Sequence, residues 1–174
     1  MADVNRPYVS GMFRDRESAE RAWESARTRG YTENDLDVMM TDDTRKKYFD
    51  RDDVVETELG NKALEGAGTG AAIGGTLGAI IAAVAAGVST VALPGIGLVI
   101  AGPIAAALTG AGAGAATGGI IGALVGSGIP EERAKVYEEG VKSGGIVMGV
   151  RPRSDDDADV IHREWTSHGT EIHR

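Results

Sequence analysis

An α+β domain interrupted by a long helical hairpin is the fold that this sequence predicts, and three observations predict it. From Gly66 to Pro130, 65 consecutive residues carry no Asp, Glu, Lys, Arg or His, while every formal charge lies in the flanks 1–65 and 131–174. Those 65 residues hold 18 of the 26 glycines. The two flanks, by contrast, read as short strands alternating with amphipathic helices.

The elements follow in order. "YVSGMF" (8–13) has strand composition, and Asp15 after it is a helix N-cap. Over 16–29, Ala19, Ala22, Trp23 and Ala26 fall on one helical face, and Gly30 stands where a C-cap belongs. "DLDVMM" (35–40) alternates Leu36, Val38 and Met40 against Asp37 and Met39, so it reads as a second strand. Beyond the insert, Pro130, Glu131 and Glu132 start a helix, because proline suits the first turn and acids complement the helix dipole. Val136, Tyr137, Gly140 and Val141 give that helix its apolar side. "IVMGV" (146–150) is a continuous apolar run and reads as a central strand. Ser154 to Asp157 cap a further helix carrying Ala158, Ile161 and Trp165, and "TEIH" (170–173) is a final strand.

The order is therefore β-α-β, insert, α-β-α-β, and the two βαβ units rhyme. "VSGMF", a helix with Trp23 and then Gly30 parallels "VMGV", a helix with Trp165 and then Gly169. Two such units in one small sheet, with helices on one face, predict a ferredoxin-like two-layer domain. Its halves are 1–65 and 131–174.

The insert, 66–130, reads as a glycine-zipper hairpin of two helical arms with its turn at "LPGIG", near 94–97. Each arm has roughly 25 residues, about 37 Å as a helix. Glycine costs a helix ~1 kcal/mol against alanine in water, yet it recurs every four residues: Gly66, Gly70, Gly74 and Gly78, then Gly110, Gly114, Gly118, Gly122 and Gly126. A loop has no reason to keep that period. A small-xxx-small stripe removes side chains so that two helix backbones approach closely, which makes these nine glycines the candidate packing and oligomerisation residues. On the first arm Ile73, Leu77, Ile80, Ile81, Val84, Val88 and Val91 form a bulky apolar band with no polar face opposite. Lipid or further copies of the chain must cover it. A span needs about 20 uncharged apolar residues, which both arms supply. Against insertion stand the absence of Trp, Tyr and Phe from the insert and flanks richer in acid than base. The expectation adopted is assembly at a membrane with both charged halves on the cytoplasmic side, with a soluble homo-oligomer as its alternative.

Composition excludes several functions. There is no cysteine, so disulfide and thiol chemistry are absent and a cytoplasmic setting is expected. The stretch "MADVNRPYVSGMF" has no apolar run behind a basic start, so no secretory signal is expected. The net charge of −8 argues against nucleic acid as a partner, because phosphate binding calls for a basic patch. "GAGTGAAIGG" (66–75) lacks the preceding apolar strand and the acid about 20 residues on that a dinucleotide turn requires. His162, His168 and His173 lack the spacing of a metal site. "DRDD" (50–53) and "SDDDAD" (154–159) do not match a calcium loop and read as turns and caps. Trp23 and Trp165 read as core. No catalytic residue, metal, cofactor or small-molecule substrate is expected.

Three stretches carry a family resemblance. "VSGMFRDRESAERAWESARTRGYTENDLDVMM", the insert with "ALPGIGLVIAGPIAAAL", and "GIPEERAKVYEEGVKSGGIVMGV" together resemble bacterial general stress proteins with a heat-induced stress protein YflT-like domain. The resemblance covers nearly the whole chain and is most specific in the last two stretches. It implies a bacterial, stress-linked, non-enzymatic protein with no catalytic residues to carry over. A second class of function remains beside self-assembly, a binding module in which the α+β domain senses a ligand or partner and the hairpin anchors it.

Overall fold

The computed structural model describes residues 8–49, 91–93, 97–105, 114–126 and 129–174. Their elements are β1 (Val9–Phe13), α1 (Arg16–Thr28), β2 (Leu36–Thr41), α2 (Asp42–Phe49), β3 (Val91–Leu93), β4 (Leu98–Ala101), α3 (Gly114–Gly126), α4 (Glu131–Lys142), β5 (Ile146–Val150), α5 (Asp155–Thr166) and β6 (Thr170–His173). The strands form one antiparallel sheet in the order β3-β4-β2-β5-β1-β6. The fold class is α+β, as the sequence predicts.

Helix starts follow their capping chemistry. The Asp15 carboxylate accepts from the Ser18 N–H at 2.8 Å and the Ser154 hydroxyl accepts from the Asp157 N–H at 3.1 Å, each satisfying one of the unpaired donors of a first turn. Gly30 closes α1, its N–H donating to Arg27 O. The expected helical face of α1 is the buried one, with Ala19, Ala22, Trp23 and Ala26 fully enclosed. The small alanines bring α1 close to α5, where the Trp165 indole N–H donates to Ala22 O at 2.9 Å. Phe13 meets Trp165 edge to face at 5.6 Å between centroids, a favoured geometry for aromatic pairs.

Strand alternation sorts the side chains into two cores. Val9 and Phe13 of β1, Leu36, Val38 and Met40 of β2, and Ile146, Met148 and Val150 of β5 lie on the face that α1 and α5 cover. Met39, Leu98, Ile100 and Val147 point to the opposite face. There they meet Ile104, Ile120, Leu124 and Ile129 from the uncharged segment, and Ala134, Tyr137 and Val141 of α4. The expected two-layer arrangement with helices on one face is therefore corrected to three layers. The physical reason lies in α4, whose apolar side fits the second face. Gly140 lets it descend until a Cβ there would collide with Met12 Sδ, and the Tyr137 hydroxyl accepts from Ser10 Oγ at 3.0 Å and donates to Glu171 O at 2.9 Å.

The middle of the uncharged segment also differs from expectation. The arms next to the expected turn near 94–97 are strands, β3 and β4, paired Leu93↔Leu98 to Val91↔Ile100. β4 pairs with β2 from Thr41↔Leu98 to Val38↔Ala101. "LVIA" is a continuous apolar run with β-branched residues, which suits a strand buried on both faces. It extends the sheet at an edge that would otherwise leave the N–H and C=O groups of β2 unpaired. A further element, α2, has no counterpart in the sequence-based expectation. Thr41 Oγ1 starts it by accepting from the Thr44 N–H at 3.0 Å.

Candidate functional site

The nine glycines are placed unevenly. Gly66, Gly70, Gly74, Gly78 and Gly110 lie outside the described residues, as does most of the first arm. Gly114, Gly118, Gly122 and Gly126 all belong to α3, but that helix is broken at Gly119, with φ +58° and ψ −150°. This backbone conformation is open essentially to glycine alone. The break sets Gly114 and Gly118 on one short helix and Gly122 and Gly126 on the next. Beyond it, Ile120 and Leu124 face the core, whereas Val125 is 42% exposed and a Cβ on Gly126 would meet nothing within 4 Å. Among the described residues no helix is long and apolar enough to cross a membrane.

The most unusual chemistry sits on the second face of the sheet, at Asp37. β2 presents Asp37 and Met39 to that face, and the uncharged segment covers both. Asp37 is 4% exposed. Its Oδ1 accepts from the Ile104 backbone N–H at 2.6 Å, and its Oδ2 accepts from the Tyr8 hydroxyl at 3.0 Å. Two glycines make room for this. Gly102 has φ +102°, and a Cβ there would come within 2.9 Å of both Asp37 Cα and Oδ1 and would collide with Leu36 O. A Cβ on Gly149 would collide with the Tyr8 hydroxyl. Arg151 places its guanidinium 5.2 Å from the centre of the Tyr8 ring.

Burial raises the Asp37 carboxyl from 3.8 to about 6, against the lowering effect of the Ile104 N–H, the Tyr8 hydroxyl and the Arg151 charge. Burial also raises the Tyr8 phenol well above its ordinary value, helped by the neighbouring Asp37. A cavity of about 10 Å³ adjoins the carboxyl, walled by Met39, Ile100, Ile104, Leu124 and Ile129. That is room for one water molecule at most, so an organic substrate has no place beside this acid. The cluster was not among the sequence-predicted residues. Its one signal in the sequence is Asp37 inside an otherwise apolar strand.

A second polar cluster joins the two βαβ units at one end of the sheet. Asp157 accepts from Arg29 Nε at 3.0 Å and from the Tyr31 hydroxyl at 3.1 Å, and the Tyr31 oxygen accepts from the Arg153 N–H at 2.8 Å. The Arg29 hydrogen bond holds the Asp157 carboxyl below the ordinary carboxylate range. The arrangement ties the end of α1 to the start of α5. The histidines are dispersed: the His168 N–H closes α5 on Trp165 O, and His173 pairs with Ser10 in β6. Among the described residues no group of three His, Cys, Asp or Glu is placed to hold a metal ion. Comparison with known protein families, with characterised proteins and with solved structures returns no match to this chain.

Proposed function

We propose that the chain is a non-enzymatic stress-response protein, of the YflT-like kind it resembles, that self-assembles through its uncharged segment at a membrane surface. The observation that carries this reading is the 65-residue stretch without a charge. Its described part spends its bulky residues Leu98, Ile100, Ile104, Ile120 and Leu124 on the sheet. The stretch 66–90 still adds Ile73, Leu77, Ile80, Ile81, Val84 and Val88, at about 25 cal/mol per Å² of apolar surface removed from water. The outer side of α3, with Gly126 open and Val125 exposed, suits close approach of another backbone.

The strand order β2-β5-β1-β6, with α1 and α5 on one face, supports a ferredoxin-like reading of the flanks. Residues 42–145, which hold α2, the uncharged segment and α4, then form one long connection between the second and third strands of that motif. A binding module anchored by the segment is the alternative reading, with no place for an organic ligand in the cavity beside Asp37.

Light scattering on the purified full chain without detergent, paired with flotation on anionic phospholipid vesicles, tests the proposal. Expected is a mass several times the 18.0 kDa of one chain, with the assembled material co-floating. A monomer that floats would transfer the role of the segment to lipid alone. A monomer that stays with the soluble fraction would overturn the proposal.

A further inference from the structure

We propose that Asp37 is a proton-operated latch for the uncharged segment: its protonated carboxyl holds residues 102–105 over the second face of the sheet, and its ionisation loosens them. The inference is independent of whether the chain assembles.

Geometry carries it first. Asp37 occupies a position that its neighbour Met39 fills with an apolar side chain, on a face sealed by a segment that has no charged residue of its own. Both hydrogen bonds to the carboxyl come from neutral donors, and one of them, the Ile104 N–H at 2.6 Å, belongs to the covering segment. The side chain thus bridges strand and cover directly. Gly102 permits this approach, since a Cβ there would obstruct both Leu36 O and the Asp37 carboxyl.

Among the described residues, three side chains influence the titration. Tyr8 donates to the carboxyl, Arg151 acts on both Asp37 and Tyr8, and Tyr137 of α4 acts on Tyr8. The cover contributes only the backbone N–H. With the segment docked, burial favours the neutral acid and outweighs the two hydrogen bonds donated to the carboxyl, which favour the ionised form. With the segment undocked, the acid is in water and ionises at its ordinary value of 3.8 rather than about 6.

The sign follows from linkage. The docked state binds the proton more tightly, so docking is strongest below the ordinary carboxylate value and weakens as pH rises through about 6. Acidification closes the latch and neutral pH relaxes it.

Hydrogen exchange on the full chain reads this directly, with rates corrected for the intrinsic pH dependence and β5 amides as the reference. Opening at Gly102, Ile104 and Ala105 is expected to be about tenfold rarer at about pH 5 than at about pH 7.5. Asp37→Asn, which imitates the neutral acid, is expected to show little change between the two. Equal opening of the wild-type segment at both pH values would overturn the latch, as would an undiminished pH effect in Asp37→Asn. Should that variant not fold, the wild-type Ile104 amide resonance serves instead. Its shift should titrate with a midpoint near 6, and a flat response from about pH 4 to about pH 8 would contradict the proposal.

Discussion

Single atoms decide the interior of this protein where glycine meets a side chain. Tyr8 crosses β5 at Gly149, where a Cβ would coincide with the phenol oxygen. Gly149→Ala should therefore push Tyr8 away from Asp37 and leave one carboxylate oxygen without its donor. Overpacking typically costs about 1–3 kcal/mol, and a lost partner for a buried acceptor costs a similar amount. Urea titration of the variant is the measurement, with a midpoint clearly below wild type as the expected outcome. Tyr8→Phe in the same background separates the two effects. A Cβ on Gly149 also collides with the ring carbons that phenylalanine keeps, so the loss caused by alanine in the Tyr8→Phe background is the packing part, and the hydrogen-bond part is the difference from the single variant.

Elements show a comparable dependence at α3. Gly119 adopts a conformation that other residues avoid, whereas Gly126 is helical and open. Gly119→Ala should destabilise the fold by about 1–3 kcal/mol, while Gly126→Ala should leave it unchanged or raise it by up to about 1 kcal/mol. Thermal melts of the two variants check the contrast, and equal losses would mean that Gly119 is not the break. The same elements show how far the sequence was legible. β1, α1, β2, α4, β5, α5 and β6 announce themselves, because each has a cap or an apolar period within about a dozen residues. β3 and β4 did not, because glycines at a spacing of four argued for a helical arm through a stretch whose strand character depends on pairing with β2. α2 was missed for a related reason. "DDTRKKYF" has no long apolar face, and its start is set by a Thr41 hydroxyl that also ends a strand. Asp37 entered the reading only as a member of the strand alternation, because its burial depends on Ile104, 67 positions away, and local periodicity carries no information about that cover.

At the scale of the whole molecule, the sheet has both faces occupied, one by α1 and α5 and the other by α4 with part of the uncharged segment. The charged halves alone would leave the second face, with Met39 and Val147, partly bare. The segment is thus both a cover for the sheet and, in the proposed function, the means by which copies meet. These two roles separate cleanly at Gly126, on the outer side of α3. A leucine there meets no atom of its own chain at the Cβ position, so the fold should tolerate it, whereas a neighbouring backbone packed on that glycine should not. The deciding measurement is the mass distribution of wild type and Gly126→Leu by light scattering in one detergent-free buffer, with circular dichroism to verify the fold. Self-assembly through the stripe requires wild type to run at several times 18.0 kDa and the variant to shift substantially towards the monomer. A monomeric wild type, or a folded variant with an unchanged oligomer mass, would contradict it.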